Sequence, residues 1–468
     1  MGASGPLRGR HQAANRHAPI GARAMSNSRG ARPSRLQSIE ETLGSAPVAQ
    51  ALAWCIVGVA FGAPALGRVI GVPGLTAMLV TLAIGSIVVL VARRRFLDWH
   101  GLLPLSILAF IIWCAISAAW SGYPADTLEG LFTLTVYAFL GLTVALTRDL
   151  IQIVRTTGGV LRVLLSASLL LEVASGVIFD RPIGFLGVEG LLASGGPIQG
   201  LFETRNLLGM VTSIALVTFI IEWRTRSVPK PVAQYSVAIA LLCLIFSGSP
   251  VTLIVVVILG VASLALYGLR RARPDARRVF QVALLAAGSL SLVIAYATRT
   301  RIIDLLNAGS EFEVRYRLWL SVWNFIQIHP LEGWGWAGSW PLGEAPYNYI
   351  IWTVGREHIS ALNAFLDVYL QVGLVGIFSF ILLCGFAFLR SWLLASNKRS
   401  TVYVWPALVL VALLATGMSE SFLLDESGWL LLVICAVKGS QGMSWRSRLP
   451  EKPPPPRAPG ASHPESLA

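Results

Sequence analysis

Apolar segments long enough to cross a membrane recur along almost the whole chain, and no other feature limits its fold so strongly. A helix needs roughly 17–25 apolar residues to cross about 30 Å of hydrocarbon. About twelve such segments can be read from hydropathy, near 48–66, 70–92, 102–120, 128–146, 158–178, 207–222, 232–248, 251–269, 279–297, 361–389, 402–419 and 421–438. With 55% of its 468 residues hydrophobic and only 13% charged, the chain is far more apolar than an average soluble domain. The expected fold is all-α: a polytopic integral membrane helical bundle of about twelve transmembrane helices, with a large outward loop containing an amphipathic helix.

Basic residues set the expected orientation. Short cytoplasmic connections are enriched in Lys and Arg, and here every second connection is basic: Arg93, Arg94 and Arg95, then 148–155, 224–230, 270–278, 390–399 and 438–448. The N-terminal segment adds Arg8, Arg10, Arg16, Arg23, Arg29, Arg32 and Arg35. Both termini are therefore expected in the cytoplasm, in a multi-pass protein of the cytoplasmic membrane whose active face points outward. The formal net charge of +13 follows this register and reflects topology and attraction to anionic membrane lipids, so nucleic acid is excluded as a partner. Residues 1–45 are expected to form a disordered basic tail. Residues 46–440 make the membrane domain, and residues 441–468, with Pro453, Pro454, Pro455 and Pro456, form a second disordered tail. Cys55, Cys114, Cys243, Cys384 and Cys435 all fall within apolar spans and read as small core residues.

The outward connections are unequal. Four are short, near 67–69, 121–127, 247–250 and 420–427, and two are long, 180–206 and 298–360. Long loops in compact proteins are more often functional than incidental. The longer one holds Arg299, Arg301, Glu311, Glu313, Arg315, Arg317, His329, Arg356 and His358. Within it Leu318, Val322, Phe325 and Ile326 recur at helical spacing beside Trp319 and Trp323, which marks an amphipathic helix. Such a helix can lie on the bilayer with its tryptophans at headgroup depth, and it can also hold Arg315 over a cavity.

Outward arginines run against the positive-inside bias and call for an anionic partner. Guanidinium groups stay charged and grip phosphate bidentately. Arg299 and Arg301 can instead pair with Asp304, whereas Arg315 and Arg205 are the candidates for a diphosphate. His358 precedes the span that begins near Ala361 and is the candidate general base. His329, before Pro330 at a helix end, reads as a C-terminal cation. The glycines of GWGWAGSWP mark a tight turn and not a phosphate loop. No metal-ligand cluster is visible, so neither a metal nor another cofactor is expected. Glu172 is the only clear acidic residue in mid-span, and such a group is a functional candidate. Transporters place coupling charges and broken helices near the midplane, often in matched halves. This chain shows no internal repeat and gathers its polar groups at one face.

The stretch RYRLWLSVWNFIQIHPLEGWGWAGSW resembles the pattern of the O-antigen ligase/polymerase family, in which an arginine four residues before a tryptophan leads through a helix to a His-Pro-Leu-x-Gly-x-Gly turn. Arg315 and Trp319 hold that spacing, and His329, Pro330, Leu331, Gly333 and Gly335 match the turn. ALNAFLDVYLQVGLVG resembles the family's Asn-x-x-Leu and Gly-Leu-x-Gly through Asn363, Leu366, Gly373, Leu374 and Gly376. GLFETRNLLG, FSGSPVTLI and Trp120-Ser121 with Pro124 are similar to further family motifs, so that the resemblance covers roughly residues 100–440. Leu362 stands where the family commonly carries a histidine.

The resemblance implies a GT-C-like membrane enzyme: a metal-independent glycosyltransferase. It would move a glycan from a polyprenyl diphosphate carrier to an acceptor hydroxyl on a glycan, lipid or protein, at the outer face of the cytoplasmic membrane. His358 would deprotonate the acceptor, and Arg315 and Arg205 would neutralise charge on the departing diphosphate. Arg317, Asn363 and Asn206 would support the substrate. Polymerisation and ligation use the same donor chemistry and are both open. The competing readings are a transporter or flippase of lipid-linked glycans and a non-catalytic membrane scaffold.

Overall fold

The computed structural model describes residues 42–94, 105–298, 300–301 and 309–443. Most of both tails, together with Arg95, Arg299 and Asp304, lies outside these residues, and so do the expectations attached to them. Each apolar segment read from the sequence falls on a helix. In chain order these are α1 (Ala46–Arg93), α2 (Leu105–Ile116), α3 (Pro124–Thr147), α4 (Leu150–Val173), α5 (Arg205–Thr225), α6 (Lys230–Ser247), α7 (Pro250–Arg271), α8 (Pro274–Ala297), α9 (Gly309–Ile326), α10 (Tyr347–Val354), α11 (Ala364–Asn397), α12 (Val404–Gly417) and α13 (Glu426–Gly442). The described residues contain no strand; Ile183 and Val188 form an isolated bridge.

Among the described residues, 7 helices can cross a membrane by length and composition: α1, α3, α4 with its extension to Phe179, α5, α6, α7 and α11. The expected total of about twelve is reached only by splitting α1 and adding α2, α8, α12 and α13. The split has a physical basis, because Gly71 (φ 71°, ψ 173°) interrupts the helical path of α1.

Local chemistry starts the helices that matter for the site. The Thr204 hydroxyl accepts from Leu207 N–H at 3.1 Å and opens α5. The Ser249 hydroxyl does the same for Thr252 at 3.2 Å, with Pro250 just behind it at the start of α7. Asn363 Oδ1 accepts from Phe365 and Leu366 N–H at the start of α11. These are the preferred N-cap side chains, satisfying amides that have no partner within the helix. At the opposite end of the bundle, basic side chains tie the helices together. Arg93 Nη1 donates to Thr147 O at 3.3 Å, and Arg270 Nη1 to Ala395 O at 2.7 Å.

The 298–360 segment, read as a loop, is partly helical. Leu318, Val322 and Ile326 of α9 are fully buried in an apolar cluster with Tyr123, Trp340, Tyr347, Ile350 and Leu370. The apolar stripe of α9 therefore docks on the protein and does not lie on lipid. Burying each such side chain stabilises that docking by about 1.5–3 kcal/mol. Trp319 Nε1 donates to Ala361 O at 2.9 Å, which ties α9 to the start of α11.

α11 is broken at Val372 and Gly373 (φ 66°). A break frees carbonyls that must be satisfied inside protein wherever water is scarce. Here the 329–335 turn supplies the donors. Trp334 N–H reaches Leu370 O at 3.0 Å and Gly335 N–H reaches Gln371 O at 2.7 Å, while Trp113 Nε1 takes Val372 O at 2.8 Å. In return Leu374 N–H donates to Pro330 O at 2.9 Å. A Cβ on Gly373 would lie 2.2 Å from Leu331 O, and one on Gly333 would lie 2.5 Å from Gln371 O. The glycines of the two motifs are thus spent on a backbone-to-backbone splice.

Charge inside the bundle is not confined to Glu172. Arg162 of α4 forms an ion pair with Glu222 of α5, which is fully buried, and also donates through Nε to Ser236 Oγ at 2.7 Å. Glu172 itself accepts from Gln199 and Gly200 N–H at 3.1 and 2.8 Å and so anchors the 180–206 connection.

Candidate functional site

At the end of the bundle where α5, α7 and α11 begin, the connection between α12 and α13 dips between them and carries Glu420. Its Oε1 accepts from Arg315 Nη2 at 2.6 Å and from Asn206 Nδ2 at 2.6 Å. Asn206 Oδ1 in turn accepts from Ser249 Oγ at 2.6 Å, so one chain of bonds runs from α9 through Glu420 and α5 to the first turn of α7. Asn363 Nδ2 donates to Met418 O at 2.9 Å and fixes the other edge of the same connection. The positive ends of three helix dipoles therefore meet at one polar patch, an arrangement suited to an anion.

Both members of the Arg315–Glu420 pair are enclosed, with side chains 10% and 3% exposed. Burial holds the Glu420 carboxyl above its ordinary range, against the opposing pull of Arg315 and the Asn206 amide. Arg315 also donates through Nε to Ser419 O at 3.3 Å. Its charge is thus matched by a carboxylate in the resting site.

His358 lies in the connection between α10 and α11, half-buried. Its Nε2 is enclosed and has no hydrogen-bond partner among the described residues. Burial lowers its proton affinity below the ordinary value, and the charges of Arg356 and then Arg315 lower it further. Both effects favour the neutral ring. Next to it, Leu362 adopts a left-handed backbone (φ 48°), a strained state for a residue with a side chain. Three contacts hold that corner: Ala361 N–H to Asp367 Oδ2 at 3.0 Å, Ala361 O from Trp319, and the Asn363 cap. The Leu362 side chain packs on the apolar cluster of α9.

The structure brings together Arg315, Asn206 and Asn363 around the Glu420 connection, with His358 close enough to feel the charge of Arg315. Arg205 is the first residue of α5 and half-buried beside Asn206. Arg317 is not brought to this patch. It is exposed on α9 and pairs with Glu313 one turn earlier. His329 closes on Glu332 (Nδ1 to Oε1, 2.9 Å) and meets the Trp334 ring edge-on, which makes it part of the splice at α11.

Sequence reading missed Glu420, Asp367 and Gln371. Asp367 accepts from Trp340 Nε1 at 2.6 Å, Ser421 Oγ at 2.5 Å and Ala361 N–H, and Gln371 Oε1 accepts from Ala337 and Gly338 N–H at 2.8 and 2.9 Å. The available signal was a carboxylate and an amide within the apolar run NAFLDVYLQVG, since polar groups in such runs are costly unless they have partners.

Residues 235–381 match a family model described as O-antigen ligase. This match bears out the resemblance read from the sequence. The matched stretch contains Arg315, His358 and Asn363, while Arg205, Asn206 and Glu420 are contributed from outside it. No curated protein matches the chain.

Proposed function

With an O-antigen ligase family domain in the chain as premise, we propose that it is a membrane glycosyltransferase that polymerises or ligates surface polysaccharide. The glycan would pass from a polyprenyl diphosphate carrier to an acceptor hydroxyl at the outer face of the cytoplasmic membrane. The observation that carries this reading is the enclosed, unpartnered Nε2 of His358 held near Arg315 and Arg356.

A neutral imidazole with an unengaged nitrogen can take the proton of an acceptor hydroxyl. The oxygen so exposed attacks the anomeric carbon of the donor sugar. The bond from that carbon to the diphosphate oxygen breaks, and the carrier diphosphate leaves with the electron pair. Charge grows on the diphosphate as it departs, and Arg315, Arg205 and the starts of α5, α7 and α11 supply the opposing field. Glu420 sets the position of Arg315, and Asn206 and Asn363 hold the connection that carries Glu420. Arg317 would contribute only at the rim. The chemistry assigned to these residues runs without a metal or cofactor.

The test is release of polyprenyl diphosphate when the full chain, in lipid vesicles, meets a polyprenyl-diphosphate oligosaccharide and an acceptor glycan. Release coupled to glycan growth is expected. Movement of intact donor between leaflets without release would replace this reading with a flippase, to which the buried Arg162–Glu222 pair would then belong. The acceptor that gains mass separates polymerase from ligase.

A further inference from the structure

Past Trp340, whose indole is held by Asp367, lies a second chamber, and we propose that it binds a non-anionic sugar unit of the glycan substrate. The identity of the glycan rests on the transferase reading, while the chamber's preference for an uncharged or amine-bearing sugar rests on its own walls. The cavity measures about 420 Å³ and is lined by α1 beyond Gly71, the first turns of α3, the segment after Trp336, and the start of α13. That size falls within the about 300–1,000 Å³ usual for small-molecule sites.

Four carboxylates line it: Asp126 and Glu129 from α3, and Asp425 and Glu426 at the start of α13. None of them forms an ion pair among the described residues. Nor do these residues converge at a spacing that would hold a metal ion. No cationic side chain is among the described residues that line the chamber, so a diphosphate finds no opposing charge there, in contrast to the Arg315 patch.

Two further groups call for a ligand. Tyr137 and Trp336 both line the chamber and are each 1% exposed, yet Tyr137 Oη and Trp336 Nε1 have no hydrogen-bond partner. The other two indoles of the wall are satisfied, Trp340 by Asp367 and Trp429 by Leu134 O at 2.9 Å. An orphaned buried donor is costly, and both residues belong to the chamber's lining. A sugar supplies the matching set: hydroxyls that donate to carboxylates and accept from the indole N–H, and a C–H face that packs on tryptophan. The chamber shares its wall with the transfer site, because Asp367 binds Trp340 on one side and Ser421, next to Glu420, on the other.

Saturation-transfer NMR on the full chain in lipid nanodiscs tests this, with diacetylchitobiose, glucosamine and glucuronate as probes. The first two should receive magnetisation and glucuronate should not. Trp336→Phe keeps the ring but loses the N–H, and should weaken diacetylchitobiose binding about tenfold, the effect of losing one buried hydrogen bond. Glu129→Gln together with Asp425→Asn should admit glucuronate. Arg315→Ala should leave probe binding unchanged. Wild-type protein that transfers glycan yet binds none of the probes would overturn the chamber while leaving the transferase reading standing. Equal binding of glucuronate, or binding untouched by Trp336→Phe in a normally folded variant, would overturn it too. Probe binding lost in Trp336→Phe, in a protein without transfer activity, would support the chamber and remove the transferase reading.

Discussion

The Arg315–Glu420 pair makes the sharpest prediction, because two roles for Arg315 diverge when both partners are removed. Removing one member of a buried ion pair usually costs about 3–5 kcal/mol, since the other charge is left without compensation. In Arg315→Ala the cost should fall near the lower bound. Glu420 already holds its proton more tightly than a free carboxyl, so it can protonate, and Asn206 still donates to it. In Glu420→Gln the shape is kept but Arg315 stays charged, and the apparent melting temperature should drop further. The double variant Arg315→Ala with Glu420→Gln removes both charges of the pair and should melt close to wild type. Transfer should behave differently. Loss of one preorganised donor to a leaving group costs roughly 100–1,000-fold in rate. Arg315→Ala and the double variant should both show that loss, while Glu420→Gln, with its guanidinium intact, should keep substantial activity. The assay is a thermal-shift series in detergent alongside polyprenyl diphosphate release in vesicles. A double variant that regains transfer along with stability would show Arg315 to be a structural ion, and the diphosphate assignment would fall.

His358→Ala should lower the rate about 100–10,000-fold, the range for a general base; a variant at full rate would move the base elsewhere. The proton affinity of His358 is lowered in the folded chain, so the base is competent above its folded pKa. The acid limb of the pH–rate profile should lie below pH 6.5, and Arg356→Ala should shift it upward; a limb that stays in place would contradict the stated cause. Gly373→Ala should prevent normal accumulation of the protein, because its Cβ would sit 2.2 Å from Leu331 O at a backbone φ of 66°. Well-folded protein from that variant, by size-exclusion profile, would refute the splice. Arg317→Ala should leave transfer within about twofold, since an exposed pair contributes only about 0–1 kcal/mol; a large loss would bring Arg317 back into the site.

The helices were legible because hydropathy is local. Each apolar run names its own segment, and Pro124, Pro250, Thr204, Ser249 and Asn363 mark starts within a few residues. Arg315 stood out for a similar reason, as an arginine expected to run against the positive-inside pattern. Glu420 did not. Its partner lies 105 residues earlier in the chain, and in isolation it reads as one polar residue in a short connection. The docking of α9 was left open in the sequence, because an apolar stripe does not say whether protein or lipid covers it. Gly333, Gly335 and Gly373 could be recognised as turn or motif residues, but their shared purpose emerges only when the break in α11 faces the turn that fills it.

That splice also dictates an order of assembly. The 329–335 turn leaves the ribosome before α11 exists, so its Trp334 and Gly335 amides have no destination until residues 370 and 371 have been made and placed. Glu420 arrives later still. The patch around Arg315 therefore cannot mature piece by piece as the chain is made; it closes only after α11 and then the α12–α13 connection are in position. A chain truncated before residue 420 would keep most of its apolar helices and still lack the Arg315–Glu420 pair.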